Sequence, residues 1–464
     1  GRAAVAGGLC VCDARVGGAV CALAGGDNRQ SPPIPMPSAM LERSMVTGKV
    51  KVMAARCWVL SWPIKPISST LTVMLAEMPA IMGAVSLNRE VVTGPWVRSL
   101  LDISCYAATR TGAHEENAIQ LELQGDVDAA FEEVAEVFLS GFSEGRDVGA
   151  ALGVVVDGEL VVDVWAGHSD RKKTQLWSED TLCCLFSATK GIATICVLQA
   201  VAEGLLELDE PLAAAWPEFA RNGKEAITLR HVLCHRAGLV GLHEPVESEL
   251  IYDWNGFCSA LADDEPWWTP GELHGYHART FGFLLGELLH RKTGRTIGEW
   301  LKERLAGPHA LDLHIGLNNG DLPRCAQMVP ARIRAGQNAL PDGAQAMMLA
   351  MQDKSTPTGA AFQNPSMGPG YMNTEQFRRA ELPAMNGHGV ARDLARLYAL
   401  LPDLLPEPLL REATRVHSSG PDQVLLTHSQ FGLGFMLHDE AAPIGVRPGT
   451  FGHAGAGGSM AFYD

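Results

Sequence analysis

The sequence predicts an α+β fold: one antiparallel sheet flanked by helices, with a large all-helical lobe inserted between its strands. Three observations predict it. An amphipathic helical pattern leads into a tight hairpin. Mainly helical patterns, broken by Pro and Gly loops, then run from Phe186 to about Leu410, and strand-like segments return near the C-terminus. The folded domain is expected over 118–464, its sheet at about 118–186 and 411–464 and its helical lobe at about 187–410.

Residues 1–117 come first and fit none of these patterns. They show no sustained period of 3.6 or 2 and hold five of the eleven cysteines. Residues 1–114 carry 11 basic against 6 acidic side chains, whereas 115–464 hold 26 against 47, and such a shift marks a boundary. Asp13 and Arg15 interrupt the early apolar run, so no signal-peptide order is present. The segment is expected to be a poorly ordered or non-native extension.

From Asp126 to Phe142, Val127, Phe131, Val134, Val137 and Phe138 fall at helical spacing while Asp128, Glu132, Glu133 and Glu136 face water, with Asp126 as the expected cap. Two β-rich runs follow, Ala151 to Val156 and Glu159 to Val164, joined by Asp157-Gly158, a strong hairpin signal. Strands are expected again at Phe431–Leu437 and Thr450–Tyr463. The ending Met460-Ala461-Phe462-Tyr463-Asp464 reads as a strand that stops where a partner should follow, leaving an unpaired edge.

Composition excludes several function classes. An apolar content of 47% and a mean hydropathy of +0.04 indicate a globular chain, and no stretch reaches the ~18 apolar residues of a membrane helix. A net charge of −16 argues against nucleic acid or anionic lipid as partner. Eleven cysteines without paired spacing fit reduced thiols in a cytoplasmic chain better than a disulfide framework. His231 and His235 sit at i, i+4, as a metal pair would, but no third ligand accompanies them; ordinary polar residues at a helix end are the simpler reading, and neither metal nor cofactor is expected.

Three serines compete as nucleophile. Gly141-Phe142-Ser143-Glu144-Gly145 spells the G-x-S-x-G elbow, yet that elbow needs a strand before it and a helix after it. Here a helix precedes and the hairpin follows, so it reads as a glycine-rich helix end. Ser169-Asp170-Arg171-Lys172 spells S-x-x-K in a polar run, where a lysine keeps its proton. Ser187-Ala188-Thr189-Lys190 lies between Leu182-Cys183-Cys184-Leu185-Phe186 and the apolar helix from Gly191 to Leu198. Positions i and i+3 share a helical face, so the amine reaches the hydroxyl. To act as base it must fall from ~10.4 to roughly 7–8, a shift of about 4 kcal/mol that burial can supply.

With these motifs the sequence resembles the serine β-lactamase and penicillin-binding-protein-like superfamily, and within it the family VIII carboxylesterases, over about 118–464. Ser187 to Lys190 matches the nucleophile motif. Tyr276-His277-Ala278, after Trp267-Trp268-Thr269-Pro270-Gly271, matches a tyrosine motif that reads Tyr-x-Asn in class C β-lactamases. His453-Ala454-Gly455 sits where β-lactamases carry Lys-Thr-Gly, and Thr228 to Leu239 resembles the helix and loop before the tyrosine. A literal Lys292-Thr293-Gly294 ends a helix at Phe281–Arg291 and is set aside.

The resemblance implies that Ser187 attacks an ester carbonyl, with Lys190 as general base and Tyr276 relaying protons. The N–H groups of Ser187 and Ala456 would form an oxyanion hole, and His453 and Gly455 would line the substrate site. It further implies short-chain carboxylic esters as substrates. A neutral His453 in place of a lysine cation weakens any anchor for a β-lactam carboxylate. The alternatives are a β-lactamase or D-alanyl-D-alanine peptidase, an acyltransferase, or an inactive scaffold.

Overall fold

The computed structural model describes residues 122–329, 342–440, 443–445 and 447–464, together with the strand segments 2–6, 9–13 and 50–56. Strands β1 (Arg2–Ala6) and β2 (Leu9–Asp13) pair only with each other. Residues 50–56 of the expected poorly ordered extension form a strand inside the main sheet, and apart from these three strands the extension lies outside the described residues.

The main sheet is antiparallel, with nine strands in the order β10-β11-β12-β13-β14-β3-β5-β6-β4. Its first half comprises β3 (Val50–Arg56), β4 (Gln124–Val127), β5 (Gly149–Val156) and β6 (Glu159–Gly167). The C-terminal half supplies β10 (Ser418–Pro421), β11 (His428–Phe431), β12 (Met436–Leu437), β13 (Phe451–Ala454) and β14 (Met460–Tyr463). The expected unpaired edge at the C-terminus is covered along half of the last strand. Strand β3 pairs with both β14 and β5, Ala54 opposite Met460 and Val52 opposite Val154, so Met460 and Ala461 have partners on both sides, while Phe462 and Tyr463 pair with β13.

Period-2 geometry explains why β5 is apolar throughout. Ala150, Leu152 and Val154 face Phe131 and Phe138 on the side of helix α1 (Glu132–Ser143), while Ala151 and Val155 face the larger core. A sheet buried on both faces needs a continuous apolar run in place of alternation. The hairpin forms as expected: Asp157 and Gly158 have φ of 51° and 88°, the two left-handed positions of a type I′ turn. The expected cap is corrected by two residues. Asp126 lies in β4 opposite Asp163, and the Asp128 carboxylate accepts the Ala130 N–H at 3.0 Å. Val127 pairs with Val162 in the ladder, which draws the chain into the sheet before the helix can start.

Within the helical lobe, helix α2 (Thr189–Ala202) is buried almost all round, as its unbroken apolar sequence requires. Around it lie α3 (Leu229–Leu233), α4 (Thr280–Thr293, closed by left-handed Gly294) and α5 (Ala391–Ala399), which covers the inner face of the sheet. The lobe also contains a small antiparallel sheet that the sequence patterns do not foresee: β7 (Cys183–Cys184), β8 (Leu313–Ile315) and β9 (Gly387–Gly389), in the order β7-β9-β8. No helix among the described residues is long and apolar enough to cross a membrane.

Replacing Gly158 by Val forces a β-branched side chain into φ 88° and should cost about 1–3 kcal/mol of unfolding free energy, read from the urea midpoint. An unchanged midpoint would contradict the turn assignment.

Candidate active site

The turn from β7 into α2 carries Ser187. Phe186, just before it, has φ +44°, a left-handed conformation that costs a non-glycine residue on the order of 1 kcal/mol or more. Neighbours on both sides hold this turn. Leu185 donates its N–H to the Gly387 carbonyl at 2.7 Å, Ser459 Oγ donates to the Leu185 carbonyl at 2.5 Å, and Gly387 N–H bonds Thr189 Oγ1 at 2.8 Å. Gly455 is close enough that a Cβ there would overlap the Leu185 carbonyl and the Ser459 hydroxyl, so only glycine lets β13 approach the serine turn.

Lys190, the second residue of α2, is fully buried. Its Nζ lies 2.8 Å from the Ala278 carbonyl, 2.8 Å from the Ala384 carbonyl and 3.3 Å from Ser187 Oγ. Burial holds its pKa well below the ordinary lysine value. The surroundings match a neutral amine: two N–H bonds for two carbonyls, and one lone pair for the hydroxyl proton of Ser187.

Tyr276 faces the same point. Its ring centroid is 4.7 Å from Lys190 Nζ, and burial pushes its hydroxyl above the usual tyrosine value, opposed in part by its hydrogen bond with Ser187. His453 on β13 is 6.1 Å from the Tyr276 ring, centroid to centroid. Its Nδ1 donates to the Ala454 carbonyl at 2.7 Å, which leaves Nε2 as the unprotonated nitrogen, buried and without a protein partner. Burial holds its pKa down at about 3, so it is neutral across the working range of most enzymes. Sequence reasoning reached that neutrality from the unperturbed histidine value; the structure supplies burial as the stronger cause.

The structure therefore brings Ser187, Lys190, Tyr276, His453 and Gly455 together, with Ala456 opening the short turn between β13 and β14. It separates the competing motifs. Ser143 is exposed at the end of α1 and donates to the Ser140 carbonyl at 3.0 Å, and Lys172 is exposed in a surface turn. Helix α3 ends at Leu233, which takes His231 and His235 out of a common helical face. His231 Nδ1 caps the helix through Thr228, and His235 is buried among aromatic rings. No group of three metal-ligating side chains occurs among the described residues.

Sequence reasoning missed the two carbonyl acceptors of Lys190. Ala278 and Ala384 contribute main-chain atoms, and their side chains carry no sign of it.

Ser187, the buried Lys190 amine and Tyr276 stand close together, the arrangement that a Ser-Lys-Tyr mechanism would need. Residues 127–464 match the family described as β-lactamase, and the chain belongs to that family. It is 35% identical over 359 residues to an esterase/β-lactamase, LipL, of Mycobacterium tuberculosis, covering 73% of this chain and 80% of that one. It is 28% identical over 348 residues to esterase EstB of Burkholderia gladioli, covering 69% and 82%. Among solved structures, a family VIII carboxylesterase superposes with a TM-score of 0.66 at 33% identity, covering 74% of this chain and 90% of that chain. The serine hydrolase fold expected from the sequence is borne out.

Gly455→Val should reduce turnover about 100-fold, because a misplacement of about 1 Å at the nucleophile is enough for that loss. Near-wild-type turnover of a p-nitrophenyl ester would contradict the close approach.

Proposed function

We propose that the protein is a carboxylesterase hydrolysing short-chain carboxylic esters through an acyl-enzyme on Ser187. One observation carries the proposal: the buried Lys190 amine, its N–H bonds taken by two carbonyls, stands 3.3 Å from Ser187 Oγ. In this reading Lys190 accepts the Ser187 proton as Oγ attacks the ester carbonyl. The N–H groups of Ser187 and Ala456 stabilise the oxyanion, an interaction of the kind that contributes a few kcal/mol in other hydrolases. Tyr276 passes a proton to the departing alcohol and regains one from the Lys190 ammonium; in deacylation a water adds its hydroxyl to the acyl carbonyl, and the proton it gives up passes through the same pair to Ser187 Oγ as the acid leaves.

The ester reading over β-lactam hydrolysis rests on His453. A neutral imidazole offers a hydrogen-bond acceptor where an anionic substrate would need a cation. The names of the relatives support the reading too, since both LipL and EstB are called esterases. LipL is also called a β-lactamase, which favours weak β-lactam hydrolysis as a second activity. The partner is a small-molecule ester. We place the protein in the cytoplasm, supported by the composition and by described cysteine side chains that form no disulfide, five of the six buried. Activity confined to a periplasmic or secreted fraction would overturn that placement.

The test compares p-nitrophenyl butyrate with a chromogenic cephalosporin. Ser187→Ala should abolish ester hydrolysis to the background rate while Ser143→Ala leaves it unchanged; full activity in Ser187→Ala would overturn the mechanism. His453→Lys should raise the cephalosporin-to-ester ratio of kcat/KM by about tenfold or more, the worth of one charge-assisted hydrogen bond. An unchanged ratio would remove His453 from substrate choice.

A further inference from the structure

We infer that His235 and Asp422 are positioning residues that fix Tyr276 for proton transfer to the leaving alcohol, an inference resting on the proton-donor role proposed above. Tyr276 lies in an irregular segment with no helix or strand to place it. Three successive backbone N–H groups there are nevertheless caught. Gly275 N–H donates to the His235 carbonyl at 3.0 Å, Tyr276 N–H to Asp422 Oδ1 at 3.1 Å, and His277 N–H to His235 Nδ1 at 3.2 Å. The His235 ring also lies 5.1 Å from the Tyr276 ring, so the same residue sets both the main chain and the side chain.

Each holder is itself fixed. Asp422 is almost wholly buried and accepts three further bonds: Val424 N–H and Leu425 N–H, each 2.8 Å from Oδ1, and Ser429 Oγ–H, 2.9 Å from Oδ2. Ser429 Oγ in turn meets His274 Nε2 at 3.0 Å, which ties the turn between β10 and β11 back to the tyrosine segment. His235 is fully buried with φ +60° and packs 4.5 Å from Phe431 and 5.1 Å from Phe281. Its Nδ1 accepts the hydrogen bond of the His277 N–H, so Nε2 carries the ring hydrogen, and that buried N–H finds no acceptor among the described residues. A left-handed backbone and an unsatisfied buried donor are both destabilising. A phenylalanine would fill the same aromatic pocket without the second cost, but it could not accept from His277. Burial, with His277 and Lys190 nearby, depresses the imidazole pKa strongly, which keeps the acceptor available.

Leaving-group chemistry separates positioning from mere stability. Ethyl butyrate expels an alkoxide that needs a proton, whereas p-nitrophenyl butyrate expels a phenolate that does not. His235→Phe and Asp422→Leu should lower kcat on ethyl butyrate about 100-fold, and on p-nitrophenyl butyrate about tenfold less than that, with KM little changed. His235→Asn, which tolerates the left-handed backbone and offers an amide oxygen, and Asp422→Asn, which keeps Oδ1, should recover most of the loss. Should the apolar variants fail to fold, His235→Gln displaces the acceptor by one methylene and should give a smaller loss with the same selectivity. Equal losses on the two esters, or a wild-type ratio in His235→Gln, would overturn the inference. Tyr276→Phe run alongside distinguishes the levels: selectivity there but not in the His235 and Asp422 variants overturns the positioning alone, and its absence in Tyr276→Phe overturns the proton-donor reading beneath it.

Discussion

The burial of one lysine organises the catalytic half of this molecule. A charged ammonium inside an apolar core is costly, and among the described residues Lys190 bonds two main-chain carbonyls and a hydroxyl but no carboxylate to offset that cost. Burial without a counter-charge therefore favours the neutral amine. Everything that surrounds the lysine follows from keeping it so. Helix α2 is apolar all round, the loop ending in Ala384 closes one side, and the tyrosine segment ending in Ala278 closes the other. Remove any of these walls and water restores the proton.

The same constraint explains why the site is assembled from remote and irregular pieces. Ser187 and Lys190 lie close in sequence, one turn apart, but the tyrosine arrives from before α4 and the histidine strand from the end of the chain. Strained or closely packed backbone marks each arrival: Phe186 at the serine, His235 behind the tyrosine, and Gly455 against the Leu185 carbonyl. The nine-stranded sheet and the lobe meet at this point. Ser459 Oγ reaching the Leu185 carbonyl is one of the direct ties between them.

Much of this was legible in the sequence, and the limits have physical causes. The Asp157-Gly158 turn was readable because its two residues accept left-handed φ with little cost, and α4 because its apolar run ends in a left-handed glycine. Ser187 stands out over Ser143 because an apolar run leads into it and a buried apolar helix follows, whereas an amphipathic helix precedes the literal G-x-S-x-G. Asp126 was taken as the cap because strand pairing by Val127 leaves no local mark. Likewise β7, β8 and β9 are two or three residues long, too short for any period to register. The acceptors of Lys190 are main-chain oxygens of two alanines and had no signal at all. His235 reads in the sequence as an ordinary polar residue at a helix end, with a metal pair to His231 the less simple alternative; its contacts with the tyrosine segment come from the fold and leave no local mark.

The central claim is that Lys190 is the neutral base for Ser187, and the most direct measurement is the pre-steady-state acylation rate of p-nitrophenyl butyrate as a function of pH. A base must be unprotonated, and a depressed pKa keeps it so to lower pH. The rate should therefore rise with pH and level off well below the ordinary lysine value of ~10.4, and this limb should vanish in Lys190→Met along with fast acylation. A rate that climbs only near ~10.4, or rapid acylation by Lys190→Met, would contradict the account.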